Sequence, residues 1–172
     1  MTTTYTVKVS DNGDKEWYVD GKLHRIDGPA IEYASGSKRW FLNGEQHRVD
    51  GPAIEYADGS KYWYLNDKLH RIDGPACEYA DGTKEWFLNG EQHRVDGPAI
   101  EYASGSKYWF QNNKLHRIDG PACEYADGTK SWYLNGECLT QAQWLEAVKP
   151  KVASCVGKLV EVDGVKYRLV AA

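Results

Sequence analysis

Short runs of alternating apolar and polar residues recur along the chain, and turn-forming residues bound each run. In one copy, residues 53–56 (Ala-Ile-Glu-Tyr) and 61–65 (Lys-Tyr-Trp-Tyr-Leu) have the two-residue period of half-buried β-strands. Asp58-Gly59 lies between them, and Asp-Gly in this position is a strong hairpin signal. Asn43-Gly44 and Asp50-Gly51-Pro52 supply two further breaks. The pattern therefore predicts a chain of β-hairpins.

The hairpin pattern repeats every 23 residues. Six tryptophans, all five histidines and five prolines recur at this spacing: Trp17, Trp40, Trp63, Trp86, Trp109, Trp132, His24, His47, His70, His93, His116, Pro29, Pro52, Pro75, Pro98 and Pro121. A second period of 46 residues overlies the first, because Leu-His-Arg-Ile-Asp alternates with Gln-His-Arg-Val-Asp. One hairpin is marginally stable in water, so the copies must pair edge to edge. We predict an all-β repeat protein, an elongated single-layer antiparallel sheet of tandem hairpins.

The length of the hairpin loop determines which side chains share a face. A two-residue Asp58-Gly59 loop would pair Tyr56 with Lys61 and Ile54 with Trp63. The face predicted to form the core then carries Ile54, Tyr56, Trp63 and Leu65. The opposite face carries Ala53, Glu55, Tyr62 and Tyr64. This register also places Glu78 against Glu85, a destabilising pair of like charges unless the site is solvated or the loop is longer.

The two ends of the chain differ from the repeat and are predicted to be caps. We divide the chain into an N-terminal capping strand (1–14), five full repeats with a partial sixth (15–137) and a C-terminal cap (138–172). The cap is predicted to contain a helix over about 141–149 and a hairpin over about 158–170, in which Glu161 opposes Lys166 and Val160 opposes Tyr167.

The predicted helix has a defined start and end. Thr140 can cap its N-terminus, Gln143 completes a capping box, and Leu139 can pack on Trp144. Pro150 ends it. The apolar side chains expected on one side of this helix, covering the last sheet edge, are Trp144, Leu145 and Val148.

Composition limits the possible roles. The net charge of −4 and the pI of about 5.7 argue against nucleic-acid binding. No run approaches the roughly 20 apolar residues of a membrane span, and the start shows no secretion signal. Four cysteines without a compact framework indicate a reducing compartment. We predict a cytoplasmic protein, in the host cytoplasm if it is encoded by a phage.

The order of the repeated residues resembles a known family. Trp40, Asn43-Gly44 and His47, followed by Tyr56 and Asp58-Gly59, resemble MORN-type (membrane occupation and recognition nexus) repeats of 23 residues, over about residues 15–137. After the histidine, this chain has Arg-Val-Asp-Gly-Pro-Ala where such units usually have Gly-x-Gly. That variant resembles His-Arg-x-Asp-Gly-Pro-Ala repeats of uncharacterised phage and large-virus proteins. The resemblance implies a ribbon of hairpins that serves as a protein scaffold, a dimerisation ribbon or a lipid-contact surface.

The recurrent His-Arg-x-Asp element is a candidate site. In the copy with His70, Arg71 and Asp73, no nucleophile is fixed beside the histidine, and five equal copies are unlike an active site. Arg and Asp can instead pair with neighbouring units, and Asp before Gly-Pro can bond turn amides. We favour a structural role over ligand binding, and ligand binding over catalysis. The sequence therefore predicts no enzyme and no cofactor.

Metal binding and disulfides are disfavoured by distance. Equivalent histidines lie about 10 Å apart by the strand spacing, too far to share an ion. Cys77 and Cys123 lie two repeats apart, on the order of 19 Å, and are predicted to be buried free thiols. A contact between Cys138 and Cys155 stays open.

Aromatic side chains supply the second candidate surface. A stripe of Tyr64, Phe87, Phe110 and Tyr133, with Tyr62 and Tyr108 beside it, needs a partner because a single-layer sheet buries only one face. A second copy or the C-terminal segment, a separate protein and a small ligand are all open as the partner. The predicted binding residues are Tyr62, Tyr64, Phe87, Tyr108, Phe110, Arg48, Arg71, Arg94, Arg117, His70 and His93.

Three functional hypotheses follow. The first is a non-enzymatic, phage- or virus-like scaffold that binds a protein, such as a host protein, or forms a homodimer. The second is capture of small anions such as signalling nucleotides by the repeated Arg, His and aromatic residues. The third is a lipid- or glycan-binding surface.

Overall fold

The structure is a computed structural model that describes residues 4–149, 159–162 and 165–168. The first twelve strands are β1 (Thr6–Val9), β2 (Lys15–Val19), β3 (Lys22–Leu23), β4 (Ile31–Glu32), β5 (Lys38–Arg39), β6 (Phe41–Leu42), β7 (Glu45–Gln46), β8 (Ile54–Glu55), β9 (Lys61–Tyr62), β10 (Tyr64–Leu65), β11 (Lys68–Leu69) and β12 (Cys77–Glu78). The remaining elements are β13 (Lys84–Glu85), β14 (Phe87–Leu88), β15 (Glu91–Gln92), β16 (Ile100–Glu101), β17 (Lys107–Tyr108), β18 (Phe110–Gln111), β19 (Lys114–Leu115), β20 (Cys123–Glu124), β21 (Lys130–Leu134), β22 (Glu137–Leu139), α1 (Gln141–Val148), β23 (Leu159–Val162) and β24 (Val165–Arg168).

One long antiparallel sheet, the main sheet, runs through all the repeats. Thirteen of its strands lie side by side in the order β1-β2-β4-β5-β8-β9-β12-β13-β16-β17-β20-β21-β22, β3 pairs with β2, and the sheet is not closed. Each unit thus contributes two neighbouring strands to the main sheet. The predicted architecture of tandem hairpins in one sheet is confirmed.

The hairpin loop is one residue longer than predicted. The Tyr56 N–H donates to the Ser60 carbonyl (2.9 Å) and the Gly59 N–H donates to the Tyr56 carbonyl (3.0 Å), so residues 57–59 form a three-residue loop. Gly59 has φ of +96°, the left-handed residue that such a loop needs. The predicted register was therefore wrong by one position.

The corrected register places opposite charges across the sheet. Glu78 lies opposite Lys84 on one neighbouring strand and opposite Lys61 on the other. The predicted pairing of Glu78 with Glu85 does not occur, because Glu85 lies opposite Cys77. Equivalent Glu–Lys pairs recur along the sheet, where cross-strand attraction stabilises neighbouring strands.

The predicted faces were also wrong, because a one-residue shift moves side chains to the other side of a strand. Ile54 lies opposite Tyr62 and not Trp63. Trp63 instead contacts Arg71, which binds Glu78. Tyr56, assigned to the core, is 37% exposed.

Small and medium side chains from both faces form the core. Five alanines are fully buried and five larger residues nearly so: Ala30, Ala53, Ala76, Ala99, Ala122, Ile31, Ile54, Cys77, Ile100 and Cys123. Each of these alanine carbonyls accepts a hydrogen bond from a tryptophan N–H, as from Trp63 to Ala76 (2.8 Å). The alanine row is therefore both fully buried and hydrogen-bonded to the tryptophan backbone.

Four small side hairpins continue from the main sheet: β6–β7, β10–β11, β14–β15 and β18–β19. Their turns have two consecutive residues with positive φ, as at Asn43 (+54°) and Gly44 (+91°), which matches the strand twist of a tight hairpin. At Asn66-Asp67 the second residue is not glycine (φ +59°), and the Asp67 carboxylate accepts a hydrogen bond from the Gln46 N–H (2.6 Å). Asn113 and Gln92 repeat this contact at 2.7 Å. The 46-residue period thus reflects two alternating ways of joining side hairpins.

Both ends pack on the repeats. β1 pairs with β2, and α1 contacts β21 and β22 at the opposite sheet edge. Thr140 and Gln143 form the predicted capping box, and Trp144 is buried. Leu145, predicted to pack with it, is 49% exposed because the helix buries only one narrow stripe.

In the last hairpin Glu161 lies opposite Lys166 and Val160 opposite Tyr167, as predicted. The loop of that hairpin and Cys155 lie outside the described residues.

Candidate functional site

Each His-Arg-x-Asp loop is organised around its arginine. The Arg71 guanidinium lies 4.0 Å from the centre of the Trp63 indole, a cation–π contact. Its Nε donates to Asp73 (3.0 Å), and its Nη1 donates to the Pro75 carbonyl (3.2 Å) and to Glu78 (3.1 Å). Arg25, Arg48, Arg94 and Arg117 repeat the arrangement, with 3.9–4.1 Å to their tryptophans.

The guanidinium packs closely against the glycine that recurs three residues after each arginine. A Cβ on Gly74 would lie 2.9 Å from Cζ of Arg71, nearer than carbon atoms pack. Arg71 also lowers the pKa of Asp73 through its hydrogen bond to that carboxylate. Each arginine is therefore paired with two carboxylates of its own unit.

The histidines join neighbouring units. His70 Nδ1 accepts a hydrogen bond from the Asn89 N–H (3.2 Å), and the Asn89 side-chain oxygen lies 2.9 Å from the same nitrogen. His93 Nδ1 likewise lies 2.8 Å from the side-chain oxygen of Asn112 in the next unit. Among the described residues, no group of three or more His, Cys, Asp and Glu is arranged to hold a metal ion.

Four equivalent clefts, the inter-unit clefts, lie between consecutive loops. One is lined by the Arg48–Gly51 loop, by Trp63 and Leu65, and by the His70–Asp73 segment of the next unit. The four have volumes of 630, 630, 660 and 700 Å³. Each combines an indole, an imidazole and an aliphatic wall.

A row of exposed aliphatic side chains, the aliphatic row, borders these clefts. Its members are the residues between Arg and Asp in each loop, which are 66–86% exposed: Ile26, Val49, Ile72, Val95 and Ile118. The following aspartate side chains are 75–85% exposed. Apolar side chains this exposed, repeated in line, are typical of a surface that binds a partner. This row was not among the predicted binding residues, although a β-branched residue between charged residues in every loop was a signal for it.

Tyrosines form a second row, the tyrosine row, on the other face of the main sheet. Tyr62 packs edge to face between Tyr56 (5.6 Å) and Tyr79 (5.5 Å). Tyr108 does the same between Tyr102 and Tyr125. These neighbours were predicted to lie on the opposite face from Tyr62.

Two charged residues occupy the positions equivalent to Tyr62 in the adjacent units. Arg39 lies between Tyr33 and Tyr56, and its Nε is buried without a hydrogen-bond partner among the described residues. Glu85 accepts a hydrogen bond from Tyr79 (3.4 Å), and burial raises its pKa. None of the ion pairs within the described part of the chain includes Arg39 or Glu85.

The predicted binding residues divide between these surfaces. Arg48, Arg71, Arg94, Arg117, His70 and His93 line the inter-unit clefts, and Tyr62 and Tyr108 belong to the tyrosine row. Tyr64, Phe87 and Phe110 are half-buried at the start of side hairpins, paired with Leu69, Gln92 and Leu115. The structure therefore presents two surfaces where the sequence predicted one set of residues.

The buried cysteines are free thiols, as predicted. Burial raises the pKa of Cys77 to about 12 and that of Cys123 to about 11, so both stay protonated at neutral pH. Cys138 is exposed.

The comparisons with known proteins give no relative: no family model matches the chain, and no curated protein is significantly similar to it. The fold and the contacts define the class. The chain is a tandem β-hairpin repeat protein, with regularly spaced His–Asn and Arg–Glu pairs that are consistent with a MORN-like repeat. The α-helix in the described part of the chain has eight residues, and no helix there is long and apolar enough to span a bilayer.

Proposed function

We propose that this protein is a non-enzymatic scaffold that binds a protein partner along the aliphatic row and the inter-unit clefts. The observation that carries the proposal is the exposure of five Ile or Val side chains in line, one per unit. Neighbouring tryptophans and histidines give each position a cleft that an apolar side chain of the partner can enter.

The internal pairing of the arginines supports this proposal over anion capture. Each guanidinium contacts two carboxylates and a tryptophan face, so an incoming anion must displace those contacts. Lipid or glycan binding stays a prediction from the resemblance of the repeats. A phage or virus origin, and a host protein as the partner, likewise stay predictions.

Replacing the centre of the aliphatic row tests the proposal. The triple variant Val49→Ser, Ile72→Ser and Val95→Ser removes three side chains that are more than four-fifths exposed, so the fold should persist. We expect a partner captured from cell extract, then purified and titrated, to bind this variant at least tenfold more weakly. The control, Val9→Ser with Leu145→Ser, removes exposed apolar groups elsewhere and should bind normally. Equal binding of triple variant and wild type would contradict the proposal.

A second candidate function, self-association, is favoured by the charges in the tyrosine row. Arg39 precedes Tyr62 by 23 residues, and Glu85 follows it by 23. Neither belongs to an ion pair among the described residues. A two-fold axis at Tyr62 would place Arg39 of each copy against Glu85 of the other, because equal sequence steps are equal steps along the sheet. We therefore propose an antiparallel homodimer through this face.

Charge complementation tests the dimer. Arg39→Glu alone and Glu85→Arg alone each create two like-charge contacts across the axis, and both variants are expected to be monomers by light scattering. An equimolar mixture restores both opposite-charge contacts and should form a heterodimer. A monomeric wild type, or single variants that still dimerise, would contradict this interface.

A further inference from the structure

We propose that the partner of the inter-unit clefts is a basic, proline-rich segment in the polyproline II conformation. This inference rests on the proposed function and names the chemistry of its ligand. It follows from the spacing of the clefts, the chemistry of their walls and the charge along their rim.

The spacing of the clefts matches a polyproline II helix. Each unit adds two strands to the main sheet, so equivalent clefts lie about 9.6 Å apart. A polyproline II helix has three residues per turn and rises about 9.3 Å per turn. Every third side chain therefore faces the same way at nearly the spacing of the clefts, and the mismatch over four clefts is only about 1 Å.

Other ligand conformations fit this spacing less well. Side chains on one face of a β-strand are about 6.6 Å or 13 Å apart, and neither distance matches. In an α-helix, residues seven apart share a face at about 10.5 Å, so the mismatch over four clefts reaches about 3 Å. An extended ligand with a three-residue period follows the clefts most closely.

The walls of the clefts provide the surfaces that proline rings contact. Trp63 and Leu65 line one cleft, with Val49 and Ile72 on its two sides. Proline-rich segments bind in aromatic-lined grooves because their conformation is largely formed beforehand and little entropy is lost. Trp40, Trp86 and Trp109 occupy the same position in the other three clefts.

The rim of the clefts determines the charge of the ligand. Each arginine pairs with a loop aspartate and a glutamate, so each cluster has one net negative charge. The aspartates, such as Asp50 and Asp73, are its highly exposed members, whereas the arginines are mostly covered. Arg48 and Arg71 lower the pKa of these aspartates, which stay ionised near neutral pH. One exposed negative charge per unit complements one Lys or Arg per turn of the ligand.

Synthetic peptides separate conformation, period and charge. The probe is a fluorescent peptide of five Lys-Pro-Pro triplets, titrated with the full chain in 150 mM salt. We expect its affinity to exceed that of a two-triplet peptide by at least tenfold, because more clefts are engaged. A Lys-Ser-Gly peptide lacks the conformation, a Glu-Pro-Pro peptide reverses the charge, and four Lys-Pro-Pro-Pro blocks change the period. Each of these three controls should bind at least tenfold more weakly.

The outcomes distinguish this inference from the proposed function. Equal binding of the Lys-Pro-Pro and Lys-Ser-Gly peptides, or of the three- and four-residue periods, would overturn the polyproline assignment. If the triple variant Val49→Ser, Ile72→Ser and Val95→Ser still loses its protein partner in that case, the scaffold function stands and only the ligand class is wrong. If the triple variant binds Lys-Pro-Pro as well as wild type does, the clefts are not the site and the inference fails.

Discussion

Replacing Arg71 with alanine is expected to lower the free energy of unfolding by about 2–3 kcal/mol. Removing one partner of a buried ion pair costs about 3–5 kcal/mol, and partial solvent access to this site reduces the figure. The side chains of Arg71 and Glu78 are 22% and 35% exposed. The variant also uncovers one face of Trp63 and leaves the Pro75 carbonyl without its donor. Urea denaturation followed by tryptophan fluorescence measures the change.

Two further variants separate the shape of the guanidinium from its charge. Arg71→Lys keeps the charge but cannot make the three planar contacts, so it should lose at least half as much stability as Arg71→Ala. Glu91→Ala, which removes an exposed charge that lies opposite Leu88, should change stability by less than about 0.5 kcal/mol. If Arg71 served only to bind a ligand, Arg71→Ala, Arg71→Lys and the control variant would be equally stable, which would contradict our expectation.

The effect of Arg71→Ala should also depend on pH. Arg71 lowers the pKa of Asp73 in the folded state, so this contact stabilises the fold above the unfolded carboxyl pKa. That contribution disappears as the pH falls through the lowered pKa. The stability difference between wild type and Arg71→Ala should therefore shrink in acid, and denaturation curves at pH 7 and pH 3 check this.

The repeat architecture was predictable because it depends on period, and period is visible in one sequence. Because tryptophan, histidine and proline recur at 23-residue intervals, they are expected to occupy equivalent positions in successive units. The hairpin turn signals predict strands between those turns. The capping box was equally local, since Thr140 and Gln143 are three residues apart. Interactions this short in sequence need no knowledge of the tertiary structure.

The register was not predictable from the turn residues alone. Ala57-Asp58-Gly59-Ser60 is compatible with a two-residue loop centred on Asp-Gly and with a three-residue loop ending in a left-handed glycine. The clash of Glu78 with Glu85 was the one indication in favour of the longer loop. Because one residue of shift exchanges the two faces, this single ambiguity also misplaced Trp63 and Tyr62.

The candidate sites were only partly predictable for a related reason. The His-Arg-x-Asp element was identified, but its partners lie seven residues away, as for Arg71 and Glu78, or in the next unit, as for His70 and Asn89. Those distances depend on the register. The residue type of Ile72 gave the wrong indication, because an isoleucine in a repeat is more often buried in the core than exposed.

Replacing Trp144 with alanine is expected to cost about 3 kcal/mol and to loosen the C-terminal units first. Truncating a buried tryptophan removes a large apolar contact and leaves a cavity. Trp144 is 7% exposed, and its indole N–H donates to the carbonyl of Arg117 (2.8 Å), 27 residues earlier. It therefore joins α1 to a preceding unit at the open edge of the main sheet.

The position of the segments that lose amide protection distinguishes an end cap from a residue that stabilises the whole array. In a linear array each unit contacts only its neighbours. Loss of an end cap should therefore raise the amide hydrogen exchange rates of residues 115–139 first, and those of residues 31–55 only afterwards. Trp144→Phe keeps an aromatic ring but loses the hydrogen bond, and should cost about 1 kcal/mol beyond the loss of ring volume. Leu145→Ala, on the exposed side of the same helix, is the matched control and should leave exchange in both segments unchanged. Uniform loss of protection along the array in Trp144→Ala would show that the units unfold as one body, and the helix would then be part of a single cooperative core.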